Sequence, residues 1–193
     1  MTDVQLDRIA PVHLDAEALE AGLPEILDSP KDRGTLELIV RRPVIDGREI
    51  LAEGELSLTE GLVGDTWNQR GSGRTDDGSP HPDMQLNVIN ARLSRLVAGA
   101  DDDDRALAGD QLHVDLDISK ENLPPGTRLA IGTAVIEVTE QPHTGCPKFA
   151  ARFGAAALRF VNVGAGKDLR LRGLNAKVVQ PGTIRAGDTI TKI

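Results

Sequence analysis

The chain has 193 residues, of which 39% are hydrophobic, and its formal net charge is -8. This size and composition predict one globular domain with a sizeable core and argue against a disordered chain. The acidic net charge argues against general nucleic-acid binding, and the single cysteine excludes an internal disulfide framework.

Membrane and export signals are not apparent in the sequence. No apolar run is long enough to span a bilayer, and residues 1–8 lack the apolar core of a signal peptide. We therefore expect a cytoplasmic protein without membrane contact. Aromatic residues make up only 2% of the chain, so Leu, Ile, Val and Ala must build its core.

The first 30 residues are predicted to form a peripheral segment, followed by a single domain at residues 31–193. Within this segment we expect Asp15 to cap a short helix that residues 22–24 end. Leu19 and Leu23 would face the core. Strands at residues 36–40 and 50–59 are then predicted to form a hairpin, with Gly54 as a candidate bulge.

A long glycine-rich loop follows at residues 64–74 and carries Trp67, Arg70 and Arg74. Loops of this length in compact domains are often functional, and a mobile surface loop is the alternative. Glycines permit close approach of the backbone to a ligand, and arginines can hold phosphate oxygens. The loop lacks the Gly-Lys-Ser/Thr of a P-loop.

The middle of the chain predicts a buried strand at residues 84–89 and a helix that Asn90 caps and that runs to Val97. Residues 101–104 are four aspartates, which we expect in a solvated loop without the ligand pattern of an EF-hand. In residues 112–118, apolar side chains alternate with polar ones. This alternation predicts a half-exposed strand with His113 on its polar side.

Further strands are predicted at residues 128–131, 134–139, 174–180 and 188–193. Many short strands separated by Gly/Pro turns predict a mostly β, barrel-like domain with a few short helices. No Gly-x-Gly-x-x-Gly follows a strand, so a dinucleotide-binding fold is unsupported.

The only cysteine, Cys146, stands where a strand pattern ends and a helix pattern begins. Pro147 suits the first helical position, which places Cys146 at the N-cap beside free backbone N–H groups. That position favours the thiolate, the form that attacks electrophiles or binds soft metals. A small buried structural cysteine is the alternative interpretation.

Basic residues are concentrated after Cys146. Residues 141–187 hold eight basic side chains and one acidic one, a net charge of +7 within an acidic protein. Such a segment can receive a small anion, for example a phosphorylated cofactor, although a solvated face paired with acids elsewhere explains the same pattern. Lys148 and Arg152 share one helix face, whereas Phe149 and Phe153 share another that is expected to pack inward.

Several stretches together resemble the MOSC domain family, which is related to the C-terminal part of molybdenum cofactor sulfurases. They are the run at residues 118–139, the Cys-Pro-Lys of residues 146–148 and the ending at residues 171–188. The Gly-Leu-Val-Gly-Asp of residues 61–65 is similar to the family's N-terminal signature. The resemblance implies a β-barrel of the kind also seen as the small barrel domain of pyruvate kinase.

For function, the resemblance implies that Cys146 either ligates the molybdenum of a pterin cofactor or carries sulfur as a persulfide. Some stand-alone members reduce N-hydroxylated compounds with that cofactor. We therefore expect a molybdenum cofactor of the molybdopterin type to bind through Cys146. The expected cofactor-binding residues are Lys148, Arg152, Arg170 and Arg172 as an anion-binding rim, Arg70 and Arg74 closing over it, and Trp67, Asn122 and His143.

Two alternatives remain open from the sequence. Cys146 could be a sulfur carrier that receives its sulfur from a cysteine desulfurase. Pyridoxal phosphate is associated with the family, but this chain contains no pyridoxal-phosphate domain and could not generate the sulfur alone. The protein could also be a non-catalytic binding module with a buried, inert Cys146. No flavin or iron–sulfur site is apparent, so a reductase would need an external electron donor.

Overall fold

The computed structural model describes residues 12–193. Its strands are β1 (Arg33–Arg41), β2 (Glu49–Leu51), β3 (Glu53–Ser57), β4 (Gly61–Leu62), β5 (Leu86–Asn90), β6 (Leu112–Asp115), β7 (Arg128–Ile131), β8 (Ala134–Val138), β9 (Leu174–Gln180), β10 (Gly182–Arg185) and β11 (Thr189–Lys192). Its helices are α1 (Ala16–Leu27), α2 (Ala91–Ala98), α3 (Asp102–Ala106), α4 (Pro147–Asn162) and α5 (Ala165–Asp168). Short 3-10 helices occupy Thr66–Gln69 and Pro82–Met84.

A closed mixed barrel of seven strands forms the centre of the molecule. The order β11-β7-β8-β9-β5-β6-β1 returns from β1 to β11, and β2 extends the sheet beside β1. The neighbours β5 and β6 run parallel, whereas β1 pairs antiparallel with both β6 and β11. Strands β10, β3 and β4 form a second, three-stranded sheet. The predicted mostly β, barrel-like fold is confirmed.

Alternating side chains fill the barrel interior with aliphatic residues. In β8, Ala134, Ile136 and Val138 are buried, whereas Val135 and Glu137 between them are only half-buried. Equivalent positions from the other strands, such as Leu36 in β1 and Leu129 in β7, join the same cluster. Each fully buried Leu or Ile contributes about 1.5–3 kcal/mol relative to an exposed one. The core therefore forms almost without aromatic residues, as the composition predicts.

Helices α1, α2 and α4 build a second apolar cluster on the outside of the sheet, around Leu19, Leu93 and Phe153. Asp15 caps α1 as predicted, by accepting a hydrogen bond from the Ala18 N–H at 2.9 Å. The predicted end of α1 is wrong, because the helix continues through Pro24 to Leu27. Gly22 does not end the helix but allows α1 to pack closely against Leu96, because a Cβ there would lie 2.5 Å from Leu96 Cδ1. None of the helices in residues 12–193 has the length and apolar character needed to cross a bilayer.

Residues 50–59 do not form one continuous strand, so this prediction is wrong. The segment divides into β2 and β3, and β3 leaves β1 to pair with β10 and β4. Gly54 is no bulge, because it pairs regularly with Ile184. A Cβ at Gly54 would lie 2.9 Å from Leu62 Cδ1, so a glycine permits close packing there.

The region around α2 contains one confirmed prediction and two wrong ones. Asn90 caps α2 through its side-chain oxygen, which accepts from the Arg92 and Leu93 N–H groups at 2.8 and 3.1 Å. The aspartate run is not a loop, because Asp101 caps α3 in the same way. His113 is fully buried rather than exposed, since α2 packs on the face of β6 that the alternation assigns to solvent.

Candidate functional site

Cys146 lies at the N-cap of α4, with Pro147 at the first helical position, which confirms the predicted geometry. The thiol is free and exposed, so the interpretation as a buried structural cysteine is wrong. The side chain of Asn162, at the other end of α4, holds the residue before it. Asn162 Oδ1 accepts from the Gly145 N–H at 2.8 Å, and its Nδ2 donates to the Gly145 carbonyl at 3.0 Å. These two hydrogen bonds fix the backbone of Gly145, directly before Cys146.

The first turns of α4 are anchored by aromatic packing. Phe149 and Phe153 are buried as predicted, and their ring centroids lie 4.9 Å apart. A kink follows at Gly154, whose φ of 93° is non-helical. At this kink the Arg152 carbonyl has a partner outside the helix, since His13 Nε2 lies 3.2 Å from the Arg152 carbonyl oxygen. The segment that carries Cys146, Lys148 and Arg152 is thereby set apart from the rest of the helix.

Asp110 is a buried hub behind Cys146. Its carboxylate is inaccessible to solvent and accepts from Arg172 at 2.7 and 2.8 Å and from His143 Nε2 at 2.8 Å. The Arg172 charge holds the pKa of this carboxyl below its usual range despite burial, which opposes ionisation. Arg172 also stacks over the Phe149 ring at 5.0 Å. Arg172 and His143 are therefore fixed in place before any ligand arrives.

Asp65 is the equivalent hub on the other side. It accepts a bidentate pair from Arg42, with both nitrogen–oxygen distances at 2.8 Å, and also caps the 3-10 helix through the Trp67 N–H. Arg42 reaches further to Asn87 Oδ1 and to the Gly109 carbonyl, each at 3.1 Å. The Gly-Asp signature thus acts by holding Arg42 and the start of the glycine-rich loop.

These elements enclose one cavity of about 390 Å³, hereafter the Cys146 cavity. Its wall combines the exposed thiol with six cationic side chains, three neutral polar ones and one carboxylate. The cations are Arg42, Arg48, Arg70, Lys148, Arg152 and Arg172, the neutral polar residues are Thr66, Asn87 and His143, and the carboxylate is Asp46. Gly109, with a φ of 85°, allows the convergence, because a Cβ there would lie 3.2 Å from the Arg48 guanidinium.

Two of the cations lack full compensation. Arg48 donates to the carbonyls of Ala106 and Gly47 rather than to a carboxylate, and Arg70 lies 3.7 Å from an Asp65 oxygen that already pairs with Arg42. Burial, followed by the neighbouring arginines, lowers the pKa of both Arg48 and Arg70. Mutual repulsion in a partly desolvated cluster favours an anionic ligand, which would relieve it.

Asp46 lies at the rim of the Cys146 cavity. Its Oδ1 accepts from Lys148 at 3.1 Å and from Arg152 at 3.3 Å. The hydrogen bond and charge of Lys148 lower the pKa of this exposed carboxyl. Asp46 therefore pairs with two of the cations that an anionic ligand would need, and it competes with such a ligand for Lys148 and Arg152.

The structure brings together six of the sequence-predicted residues around one cavity. They are Cys146, Lys148, Arg152, Arg172, Arg70 and His143. Trp67 lies beside them, in a smaller cavity of about 230 Å³ that shares Arg42, Arg70 and Asn87.

Three predicted residues lie elsewhere. Arg74 donates to Gln141 Oε1 at 3.1 Å. Asn122 donates to the carbonyls of Lys31 and Asp117 and accepts from Lys192, and it does not line the Cys146 cavity. Arg170 donates to the Leu123 carbonyl at 2.6 Å and lines a different cavity. These bonds give Arg74, Asn122 and Arg170 positions outside the Cys146 cavity.

Sequence reasoning missed Arg42, Arg48, Asn87 and the two carboxylate hubs. Arg42 and Arg48 belong to the β1–β2 region, outside both the basic segment at residues 141–187 and the glycine-rich loop in which cations were predicted. The arginine pair that precedes Pro43 was an available signal, because a basic pair at a strand end lies where ligands often bind.

The donor set constrains what metal chemistry the cavity can host. Among residues 12–193, no cluster of three or more His, Cys, Asp or Glu side chains could hold a metal ion. A metal here would have one soft thiolate from Cys146 and would need its other ligands from the molecule that carries it. A metal held within an anionic organic cofactor fits these residues, whereas a bare divalent ion does not.

The fold is similar to solved structures of low sequence identity. YuaD protein from Bacillus subtilis matches with a TM-score of 0.61 and 15% identity, over 82% of this chain and 94% of that one. YiiM from Escherichia coli matches with a TM-score of 0.52 and 21% identity, over 82% of this chain and 69% of that one. YiiM from Geobacillus stearothermophilus matches with a TM-score of 0.50 and 13% identity, over 86% and 74%.

Sequence comparison with curated proteins finds no match. The family model for the MOSC domain, in contrast, matches residues 81–191, more than half of the chain. The matched span contains Asp110, His143, Cys146, Arg152 and Arg172. The chain belongs to the MOSC domain family.

Proposed function

We propose that the protein binds a molybdopterin-type cofactor in the Cys146 cavity, with the Cys146 thiolate as the protein ligand to its metal. The observation that carries this proposal is the joint presence of one free, exposed thiol and six cationic side chains around about 390 Å³. A soft thiolate suits a thiophilic metal, and a cluster of arginines suits a phosphate group.

The residues divide the work of binding. Arg48 and Arg70 have spare charge and would hold the cofactor's phosphate together with Lys148 and Arg152. Arg42 and Arg172 are committed to buried carboxylates, so they shape the wall and contribute a fixed positive field. When bound, the cofactor would supply oxygen-atom transfer, for which N-hydroxylated compounds are the proposed substrates, with an external protein as electron donor.

The test is the metal and pterin content of protein purified from a host that makes molybdenum cofactor. We expect near-stoichiometric molybdenum and pterin in the wild type and neither in Cys146→Ala. Arg48→Gln should reduce both, whereas Arg159→Gln, on the exposed part of α4 beyond the kink, should change neither. A wild type without molybdenum, from a host that loads a control protein, would overturn the proposal.

A sulfur carrier is the second candidate, and the exposure of Cys146 favours it. In the required step, the Cys146 thiolate attacks the outer sulfur of a partner's persulfide. The partner's S–S bond breaks, its thiolate leaves, and Cys146 retains the sulfur as a persulfide. Incubation with a cysteine desulfurase and cysteine should add one sulfur to Cys146 by mass spectrometry, and failure to load under those conditions counts against this candidate.

The third hypothesis, a binding module with an inert cysteine, depended on a buried thiol. Because the thiol is exposed, a maleimide reagent should label Cys146 in the folded protein. Labelling only after unfolding would revive that hypothesis.

A further inference from the structure

A second cavity of about 460 Å³ lies behind the Cys146 cavity, and the two share His143 and Arg172 as a common wall. The loop that leads to Cys146 forms one side, and the turn from α5 towards β9 forms the other. We propose that this second cavity binds a small oxyanion, such as the phosphate of a phosphorylated metabolite, independently of the ligand at Cys146.

The charges on its wall are unbalanced. Four cations line it, Lys120, Lys167, Arg170 and Arg172, against the single acidic side chain of Glu140. Lys120 is paired with Asp168 at 3.0 Å, and Arg172 with Asp110 at 2.7 Å. Within residues 12–193, no carboxylate oxygen lies within 4.0 Å of the charged nitrogens of Lys167 or Arg170. Counting only partners in residues 12–193, the second cavity thus holds two cations without an anionic partner.

Arg170 is the better placed of the two. One of its terminal nitrogens donates to the Leu123 carbonyl at 2.6 Å, which anchors the guanidinium at the cavity wall. The same nitrogen also makes a long contact of 3.5 Å with the Ile118 carbonyl. Within residues 12–193, the other two guanidinium nitrogens have no acceptor, so they are available to a ligand. Burial lowers the pKa of Arg170, and no carboxylate among the described residues counteracts its desolvation.

The backbone at Arg170 is also unusual. Its φ of 50° is left-handed for a non-glycine residue, and the Gly173 N–H closes the turn on the Arg170 carbonyl at 2.7 Å. This conformation carries an energetic cost, and such costs are often found at ligand-binding positions. Here the conformation places a half-buried arginine against the cavity.

Neutral donors complete the wall. Gln141 accepts from Arg74 through Oε1, which assigns that atom as the acceptor and leaves its amide nitrogen as a donor. Thr144 adds a hydroxyl. An oxyanion offers only acceptor atoms, so a set of two cations, an amide N–H and a hydroxyl matches it better than a cation or an apolar molecule.

The shared wall keeps the two cavities separate. His143 and Arg172 are both bonded to the buried Asp110 and cannot move into either cavity without losing those bonds. Three cations of the second cavity, Lys120, Lys167 and Arg170, do not line the first, and Arg48 and Arg152 do not line the second. Substitutions can therefore weaken each cavity alone.

The test uses inorganic pyrophosphate as the probe, the metal-free full chain and backbone amide NMR at low ionic strength. Two sets of shifts are expected in the wild type, one at Gly109 and Cys146 and one at Thr144 and Lys167. Arg170→Gln and Lys167→Gln should each weaken the second set by about tenfold and leave the first unchanged, the loss typical of one charged hydrogen bond. Arg48→Gln should do the reverse, and Arg159→Gln should affect neither.

The outcomes separate this proposal from the cofactor proposal, since neither metal nor cofactor is present. Absence of the second set at pyrophosphate concentrations that saturate the first overturns the second site. Loss of both sets together in Arg48→Gln shows one extended ligand site and overturns independence. If Arg170→Gln unfolds because the Leu123 carbonyl loses its donor, the exposed Lys167→Gln variant decides, and its insensitivity counts against the proposal.

Discussion

His143 Nε2 lies 2.8 Å from Asp110 Oδ1, and the same oxygen accepts from Arg172 at 2.8 Å. Because a carboxylate can only accept, the ring carries its proton on Nε2, and Nδ1 is left as an acceptor. Burial, followed by the nearby Arg172 charge, lowers the pKa of His143. At neutral pH His143 is therefore an uncharged acceptor between two basic cavities, suited to an N–H or O–H group of a ligand rather than to a phosphate.

The buried hub predicts a large effect for Asp110→Asn. The substitution leaves the buried Arg172 charge without its carboxylate, which typically costs about 3–5 kcal/mol of unfolding free energy. Urea denaturation measures the change. Asp168→Asn, in an exposed pair with Lys120, is the matched control and should cost less than about 1 kcal/mol. Equal effects of the two substitutions would show that the hub contributes no special stability.

His113 predicts acid sensitivity. Both of its ring nitrogens are buried and have no hydrogen-bond partner in the described part of the chain, and burial lowers its pKa to about 4. The unfolded ring, with a pKa near 6.5, binds a proton first, so stability is lost as pH falls from about 6.5 towards 4, by about 3 kcal/mol in total. The lowered pKa values of Glu37 and Asp110 act in the same direction at lower pH.

The contribution of His113 can be isolated by comparing urea denaturation of the wild type and His113→Leu across that pH range. The variant should lose the part of the pH dependence between about 6.5 and 4 that comes from His113, and keep the part that comes from His143, whose pKa burial also lowers. An unchanged dependence in the variant would assign it to other groups.

Asp46→Asn should strengthen anion binding at the Cys146 cavity. The wild-type carboxylate holds Lys148 and Arg152, and an anion must displace it. Because the pair is exposed, we expect a gain of about two- to fivefold in pyrophosphate affinity at low salt, measured by calorimetry. Asp77→Asn, in the exposed loop beyond Arg74, is the control and should leave the affinity unchanged. Equal affinities for wild type and Asp46→Asn would contradict the competition.

The kink in α4 predicts that Gly154→Ala is destabilising. An alanine at a φ of 93° is strained, and its Cβ would also lie 3.2 Å from the His13 ring. We expect a loss of about 1–3 kcal/mol. Gly73→Ala should be near neutral, because a Cβ at Gly73 has no described heavy atom within 4 Å and its φ lies outside the left-handed region. Thermal unfolding of both variants provides the comparison, and a stable Gly154→Ala protein would argue against a required kink.

Features that depend on neighbouring residues were predictable from the sequence. The Cys146 N-cap follows from Pro147 beside it, and the Asn90 cap follows from the apolar spacing that comes after it. The barrel follows from short alternating strands and Gly/Pro turns. Each of these signals acts within a few residues, where backbone preferences are strong.

Features that depend on distant partners were not predictable in the same way. Arg42 meets Asp65 and Gly109, which lie 23 and 67 residues away along the chain. His113 alternates as if exposed, but a helix covers that face of its strand. Arg170 and Arg172 are two residues apart, yet Arg170 lines one cavity and Arg172 two, because the turn between α5 and β9 directs them differently.

The two halves of the chain contribute different things to the Cys146 cavity. Residues 81–191, which carry the family match, supply the thiol together with Lys148, Arg152 and Arg172. Arg42, Arg48 and Arg70 all precede that span. Half of the six cations around the cavity therefore come from the first 80 residues, outside the family match. Relatives that share only the motif are a poor guide to what this protein accepts.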